Sequence, residues 1–369
     1  MYFYSYTSMT KVQIPRTVNC VRTNLNNAFN NIRSLKTVNI NISAANIANM
    51  CVNCLNLTTA AIPYDNVTNM SYTYFNCINL TTPAACGDKV TDMSHAYQSC
   101  KNLNGEAVCG PNVTNMAMTY AGCSLLTTPI CGPNVTNMHQ TYTGCRNLTT
   151  AVCGPNVTDM TYAYQDCPKI TTAVCGPNVI GMAYAYQYCT NLTTAVCGNK
   201  VTGMGSAYYN CTNLTTAVCG PNVTDMRNAY QNCTNLTTAV CGNKVTGMGS
   251  AYQDCPKITT AVCGPNVTNM RNAYQNCTNI QGNVYFYSNN ISNVTNCFRG
   301  RNTSNRLNIY VHDSTTTLSK CLYNNTVSIT GVNTTWTNDS INGCYYNISQ
   351  NIYIYPVANV EAARIANGD

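Results

Sequence analysis

Apolar residues recur along the chain at almost constant intervals. From Met116 to Met270 the interval is 22 residues, as in Met116, Met138 and Met160. We call this series of residues the apolar column. An aromatic or apolar residue follows each of them by four positions, as Tyr120 follows Met116. No single coil of this length can bury its own apolar side, so the pattern predicts a repeat solenoid of about fifteen stacked coils.

One coil, Asn213–Cys233, shows how each unit is expected to fold. Leu214, Ala217 and Cys219 have the inward spacing of a short parallel strand, which should end at the Gly-Pro-Asn turn that follows. Apolar residues then return at spacings of three and four. This second part predicts a short helical or 3-10 turn that covers the back of the strand.

The order Val-Thr-x-Met-x-x-Ala-Tyr-x-x-Cys-x-x-Leu-Thr is similar to the BspA-like leucine-rich repeats, whose units carry an Ala-Phe-x-x-Cys-x-x-Leu core. Here Tyr mostly replaces Phe, and the turn reads Cys-Gly-Pro-Asn. The resemblance covers about residues 20–283 well and residues 284–355 loosely. It implies a leucine-rich-repeat solenoid and a surface or adhesion protein of a microbe, virus or protist, and it implies no catalytic residue.

Coil length drifts at both ends of the chain, although the apolar column can be followed to Leu318 and Ile341. We therefore predict atypical ends, because a terminal repeat lacks a neighbour on one face. The predicted division is an N-terminal β cap or attachment segment (1–20), a regular solenoid (21–283), an irregular, strand-rich C-terminal cap (284–355) and a tail (356–369).

Composition narrows the class of protein. Only 8% of the residues are charged, and the lysines and arginines behind the formal net charge of +7 are scattered at about one per coil. The absence of a basic cluster argues against a nucleic-acid partner. The amino terminus shows no signal-peptide pattern and no long apolar run follows, so neither a cleaved leader nor membrane insertion is expected.

The 25 cysteines fall largely into two columns. The inner cysteine column runs from Cys54 to Cys277, and the outer cysteine column runs from Cys86 to Cys263. Both coincide with inward slots, where cysteine packs as a small apolar residue, and this favours buried thiols. Disulfides between the columns fit the same spacing, so the redox state stays open. The single Cys-x-x-Cys, Cys51 to Cys54, lacks a second pair, and no metal site is predicted.

Candidate catalytic residues are few. The three histidines, His95, His139 and His312, stand in separate segments without a partner nucleophile, and the aspartates recur at variable surface slots. A pair of carboxylates across a cleft is the one enzymatic arrangement that the sequence leaves open. We predict no enzyme activity and no cofactor.

The positions at which near-identical coils differ are the best candidates for a binding surface. Buried slots cannot vary freely in size and charge, so the variable slots should share an exposed face. Drift of a tolerant surface would give the same variation. The candidate ligand-binding residues on this face are His139, Gln140, Tyr162, Tyr184, Tyr188, Tyr209, Arg227 and Arg271. An alternative face lies on the sheet side, at Thr150, Val152, Thr172, Val174, Thr194 and Val196.

These features together predict a structural or adhesive repeat protein. The leading hypothesis is a virus or phage fibre, spike or surface-decoration protein that recognises a host-surface protein or glycan and contacts other virion or surface proteins. The alternatives are a cellular BspA-like surface adhesin and a self-assembling filament subunit. The expected location is a virion or an extracellular surface, with homo-oligomers allowed. The aromatic segment Tyr2–Tyr6 would be one attachment end.

Overall fold

The chain folds as a solenoid of parallel strands and turns, which confirms the predicted fold class. The computed structural model describes residues 8–14, 24–41, 44–323, 329–330 and 335–369. The segment Tyr2–Tyr6 lies outside these ranges, as does most of the predicted cap at 1–20. The chain divides into two compact units, Met1–Cys189 and Thr190–Asp369, which we call the first unit and the second unit.

The described residues of the first unit form five short strands in two parallel sheets. A three-stranded sheet has the order β1, β2, β3, with Val12 opposite Val38 and Val38 opposite Ala60. A two-stranded sheet pairs β4 with β5. The strands are β1 (Lys11–Ile14), β2 (Thr37–Ile40), β3 (Thr59–Ala61), β4 (Asn104–Glu106) and β5 (Leu125–Thr128).

A second parallel ladder runs through the residue that precedes each apolar column position. In the first unit single bridges connect Asn24, Asn46, Asn69 and their successors as far as Gly181. Next to this ladder the Thr158 amide donates to Thr136 O of the preceding coil, at 2.9 Å. The Met160 amide donates in the opposite direction, to Gly181 O, also at 2.9 Å. Each coil is thus hydrogen-bonded to both neighbours within two residues.

The predicted helical or 3-10 turn is present as a succession of single turns. The amides of Ala163 and Gln165 donate to the carbonyls of Met160 and Tyr162, three residues earlier in each case. Residues with positive φ interrupt the succession at Tyr162 and Asp166. The turns therefore do not extend into an α-helix.

The core is built from the repeating columns, as the sequence predicts. In one coil Val157, Met160, Tyr164, Cys167 and Ile170 have no exposed surface. The buried tyrosines four residues after the apolar column, such as Tyr164, form the tyrosine column. Their rings stack on each other in both units, with adjacent centroids 5.3 to 5.6 Å apart. Such offset pairs contribute about 0.5 to 1.5 kcal/mol each beyond the area that they bury.

The second unit ends in a six-stranded mixed sheet with the order β6, β7, β8, β11, β10, β9. The first four strands are parallel, and β10 and β9 are antiparallel to their neighbours. Helix α2 packs against β7 and β8. The elements are β6 (Val262–Cys263), β7 (Gly282–Phe286), β8 (Leu307–His312), α1 (Thr315–Tyr323), β9 (Thr337–Asp339), β10 (Cys344–Asn347), β11 (Ile352–Val357) and α2 (Val360–Ala366).

The prediction that the apolar column continues to Leu318 and Ile341 is wrong, because the C-terminal sheet replaces the coils there. Leu318 lies in α1, and Ile341 lies in the turn between β9 and β10 with 94% of its surface exposed. The described residues form about 12 turns and not fifteen, because two antiparallel hairpins replace the last coils. The segment 356–369, which was predicted to be a tail, contains the end of β11 and all of α2. The boundaries at residues 20, 283 and 355 stay a prediction.

Candidate binding faces

Most coils hold two residues in the left-handed backbone region. The first left-handed slot is the second residue after the apolar column, as at Tyr162, and the second left-handed slot directly precedes the inner cysteine column, as at Asp166. Six successive coils of the first unit carry long or aromatic side chains at the first slot, with φ between 53° and 58°. They are Tyr72, His95, Met118, Gln140, Tyr162 and Tyr184.

These side chains are not what the backbone prefers at this slot. A residue with a Cβ atom loses roughly 1 to 2 kcal/mol in the left-handed region, and asparagine tolerates it best after glycine. The second unit uses Ser206, Asn228 and Ser250 at the same slot, with the same φ. Small side chains therefore satisfy the fold. The aromatic residues of the first unit are retained against a local backbone preference, which makes them candidates for function.

The structure brings several of these aromatic rings together. Tyr72 stacks on His95 with centroids 4.1 Å apart, and Tyr162 stacks on Tyr184 at 4.4 Å. His139 meets the Tyr162 ring edge-on at 6.0 Å. We call Tyr72, His95, Tyr162 and Tyr184 the aromatic column. Gln140, at the same slot, separates its two stacked pairs together with Met118.

Polar contacts around the column are weak or local. His139 Nδ1 lies 3.9 Å from the Asp159 carboxylate, and His95 Nδ1 lies 2.6 Å from Gln98 Oε1. Partial burial and the neighbouring Tyr184 raise the pKa of the Tyr162 hydroxyl. The column is therefore an aromatic surface with hydrogen-bonding groups at its edge. Tyr188, at the second left-handed slot, is 40% exposed.

The candidates in the second unit are Tyr209, Arg227 and Arg271. Tyr209 accepts a hydrogen bond of 3.4 Å from Asn232 Nδ2. Arg227 is exposed and forms an ion pair of 2.8 Å with Asp225, and Arg271 is exposed as well. The side chain of Arg227 lies beside Gly247, whose missing Cβ would be 3.7 Å from Arg227 Cγ.

The sheet-side alternative is also solvent-facing. Thr150, Thr172 and Thr194 are exposed, Val152 and Val174 are half-buried, and Val196 is 40% exposed. The backbones of Val152 and Val174 form hydrogen bonds with the hydroxyls of buried tyrosines of the tyrosine column. Thr194 pairs with Thr216 in a parallel bridge. Both faces are thus accessible, and both stay candidates.

The cysteines belong to the interior of the coil. In the inner column, Cys167 Sγ donates to Tyr142 O of the preceding coil at 3.1 Å. In the outer column most thiols are half-buried, and burial raises the pKa of Cys153 to about 12 and of Cys131 to about 11. The 24 cysteines in the described ranges are free thiols. The raised pKa of Cys153 and Cys131 keeps the thiolate content of these two groups low near neutral pH.

No three His, Cys, Asp or Glu side chains in the described part of the chain come close enough together to hold a metal ion. None of its helices combines the length and the apolar character that a bilayer crossing requires.

The sequence prediction missed two parts of these surfaces. Tyr72 and His95 occupy the first left-handed slot, and extending the comparison of variable slots toward the amino terminus would have found them. A cavity on the C-terminal sheet contains Arg306, Asp339 and Tyr353. Nothing in the repeat pattern marks that cavity, because it forms where the repeat ends.

Comparison with solved structures places the fold among bacterial leucine-rich-repeat proteins. A leucine-rich repeat protein from Bacteroides ovatus matches with a TM-score of 0.60 and 18% identity, over 82% of this chain and 87% of that chain. A leucine rich cell surface protein from Faecalibacterium prausnitzii matches with a TM-score of 0.43 and 20% identity, over 75% and 78% of the two chains. A search of curated protein sequences finds no match.

The family assignment rests on the repeat itself. The model of the BspA type leucine rich repeat region matches in six copies, over residues 1–127, 116–237, 161–281 and 227–353. Proteins with this repeat are in general non-enzymatic scaffolds for protein interactions and are typically secreted or on the cell surface. The resemblance drawn from the sequence motif is confirmed: this chain belongs to the family of proteins with BspA type leucine-rich repeats.

Proposed function

We propose that this chain is a non-enzymatic adhesive protein that recognises a protein or glycan on a host surface through the aromatic column of its first unit. The observation that carries the proposal is the placement of tyrosine and histidine in the first left-handed slot. Asparagine, which tolerates this backbone region better, fills that slot at Asn228 and Asn272 in the second unit.

The chemistry of the column suits recognition. Tyrosine combines a large rigid contact area with a polar hydroxyl group, and it is enriched among the residues that dominate binding energy. The stacking of Tyr162 on Tyr184 fixes both rings before a ligand arrives. Little side-chain entropy then remains to be lost on binding. His139 contacts the Tyr162 ring and extends the candidate surface, and Tyr188, which is 40% exposed in the same coil as Tyr184, is a further candidate.

The biological setting has two versions. One is a virion or phage fibre, spike or surface-decoration protein, and the other is an adhesin on a microbial cell surface. Since proteins with this repeat are typically secreted or on the cell surface, the cellular version accounts for the chain as well as the viral one. The recognition chemistry is the same in both.

A binding experiment distinguishes the two faces. Fluorescently labelled full chain is titrated on cultured epithelial cells, with one triple variant on each face. The aromatic-column variant is Tyr72→Asn, Tyr162→Asn and Tyr184→Asn, and the sheet-side variant is Thr150→Lys, Thr172→Lys and Thr194→Lys. The first variant should weaken binding at least about 100-fold, because it removes three contacts of more than about 1 kcal/mol each. The sheet-side variant should bind like the unchanged chain.

The opposite outcome, in which only the sheet-side variant loses binding, would move the site to the sheet face. Thermal melting of both variants shows whether each is folded. Light scattering separates an adhesin from a filament subunit, because a discrete small oligomer fits the former and open-ended polymers fit the latter.

A further inference from the structure

A cavity of about 500 Å³ opens on the C-terminal sheet of the second unit. Its walls come from β10 and β11, from the end of β9 with the turn that follows, and from the residue before β8. The side chains that the argument uses are Arg306, Asp339, Asn342, Cys344, Tyr353 and Tyr355. The volume is within the usual range for a small-ligand site.

The sheet register explains why the cavity exists. Tyr285, Tyr310 and Tyr355 form a row across β7, β8 and β11, with adjacent ring centroids 5.0 Å apart. The next position in that row, on β10, is Cys344, whose thiol contacts the Tyr355 hydroxyl. Because cysteine is small, it forms a floor and leaves the far side of the Tyr355 ring open to the cavity.

Asp339 stands at the opposite wall, paired with Cys344 in the register between β9 and β10. Its Oδ2 accepts a hydrogen bond of 2.6 Å from Asn342 Nδ2, and its Oδ1 accepts from the amides of Ile341 and Asn342, both at 3.1 Å. These bonds fix the carboxylate and lower its pKa. The cavity therefore contains an oriented, ionised acceptor.

Arg306 supplies the donors. Its guanidinium carbon lies 3.8 Å from the centre of the Tyr353 ring, its Nε donates to Asn308 Oδ1 at 2.9 Å, and its Nη2 donates to the Tyr355 hydroxyl at 3.0 Å. No ion pair joins Arg306 to Asp339 among the residues that the structure describes. The cationic and anionic groups are thus held apart across one cavity.

Hydrogen bonds from Arg301 hold in place the strands that carry these groups. Arg301 is buried, and its guanidinium donates to the carbonyls of Asn302, Asn305 and Asn351 at 3.1, 2.7 and 2.9 Å. It also donates to Gln350 O. These bonds tie the approach to β8 to the turn before β11. Arg306 and Tyr353 therefore keep their relative positions without a ligand, as a preorganised site requires.

We propose that this cavity binds a pyranose ring of a neutral glycan. The ring would place its apolar C–H face on Tyr355, donate hydroxyl hydrogens to Asp339 and accept from Arg306 and Asn342. A free anion would be opposed by Asp339, and a free cation by Arg306. A neutral polyol uses both groups, since each hydroxyl both donates and accepts. This site lies in the second unit and does not depend on the aromatic column.

The test is saturation-transfer NMR on the full chain with neutral methyl glycosides of glucose, galactose, mannose and N-acetylglucosamine, each at about 10 mM. Free N-acetylneuraminic acid and glucosamine serve as the anionic and cationic probes. At least one neutral glycoside should receive saturation, and the charged probes should receive little. Asp339→Asn keeps the oxygen that caps the turn but removes the charge, and Arg306→Gln removes the cation. Each should weaken the neutral glycoside about tenfold.

Matched controls come from the same unit. Asp313→Asn and Arg299→Gln make the same charge changes at exposed positions outside the cavity and should leave the affinity unchanged. The absence of saturation of every neutral glycoside, or equal saturation in the two site variants and the unchanged chain, would overturn the proposal. Preference for N-acetylneuraminic acid or for glucosamine over every neutral glycoside would overturn it as well. Circular dichroism of each variant confirms that the sheet is intact.

Discussion

The hydroxyl of Tyr164 is bonded to both backbone groups of Val152. It donates to the Val152 carbonyl at 2.6 Å and accepts from the Val152 amide at 2.9 Å. The same pair of bonds recurs between Tyr186 and Val174 and between Tyr142 and Ile130. A phenylalanine could not make these bonds. In these coils the tyrosine that replaces the phenylalanine of the related repeat motif therefore holds the strand side of the coil from within.

Replacing Tyr164 by phenylalanine should lower the free energy of unfolding by about 1 kcal/mol. The Val152 backbone would lose both partners, and it is only half-buried, so water recovers part of the loss. Urea denaturation followed by circular dichroism measures the change. Tyr310→Phe is the control, since Tyr310 is half-buried in a stack, and it should change the value by less than about 0.5 kcal/mol. Equal effects of the two variants would contradict the role assigned to the hydroxyl.

The glycine after each outer-column cysteine should resist substitution. A Cβ atom at Gly176 would lie 2.7 Å from Cys153 Sγ and 3.0 Å from Gly154 O of the preceding coil. We expect Gly176→Ala to destabilise the fold by about 1 to 3 kcal/mol through overpacking. Gly203→Ala is a matched control, because its Cβ would meet nothing within 4 Å. The measurement is the urea midpoint of each variant, and a Gly176→Ala midpoint equal to that of Gly203→Ala would refute the packing argument.

The regular coils could be predicted because burial fixes their residues. Met160, Tyr164 and Cys167 occupy columns with no exposed surface, where a change of size is felt at once. The repeat spacing therefore shows directly which residues face inward. The same variation between coils indicated that Tyr162 and Tyr184 are outside the core, but it did not predict the left-handed conformation of their backbone. A left-handed tyrosine contradicts local preference, so no propensity could predict it.

The C-terminal sheet could not be predicted from the column. Leu318 and Ile341 continue the spacing, yet the local pattern changes at β8, where buried and half-buried residues alternate as in an ordinary strand. A period of two is the signal for a longer strand with one covered face. The hairpins that bring Asp339 opposite Cys344 depend on turns whose pairing no repeat comparison contains.

Backbone strain at the first left-handed slot should be measurable. Gln140 has φ 53° and is half-buried, so replacing it by glycine removes the strained Cβ atom with little loss of packing. Relief of roughly 1 to 2 kcal/mol exceeds the entropic cost of glycine, about 0.5 to 1 kcal/mol, so Gln140→Gly should be stabilising by about 0.5 to 1 kcal/mol. Ala117→Gly, at the adjacent slot without positive φ, should be destabilising by about the same amount. Chemical denaturation decides this, and a loss of stability in both variants would show that the slot is not strained.

Alkaline pH should destabilise this protein more than its low charge suggests. Burial raises the pKa of Cys153 from 9.0 to about 12 and that of Cys131 to about 11, and it raises the pKa of Tyr164 well above 10.0. The folded chain therefore keeps protons that the unfolded chain releases from about pH 9 upward. By linkage, the stabilisation is fully present below pH 9 and is lost as the pH rises from about 9 toward about 12.

Urea midpoints measured under reducing conditions at intervals from pH 7 to pH 10 test this expectation. The midpoint should be nearly constant at pH 7 and 8 and should fall progressively above pH 9, since many thiols and phenols contribute with the same sign. Native thiols should react slowly with a disulfide reagent at pH 8, because a thiol of pKa about 12 is ionised to only about one part in 10⁴ there, whereas denaturant should release them together. A midpoint that stays constant to pH 10, or rapid native reaction of the outer cysteine column, would mean that the columns are not buried as described.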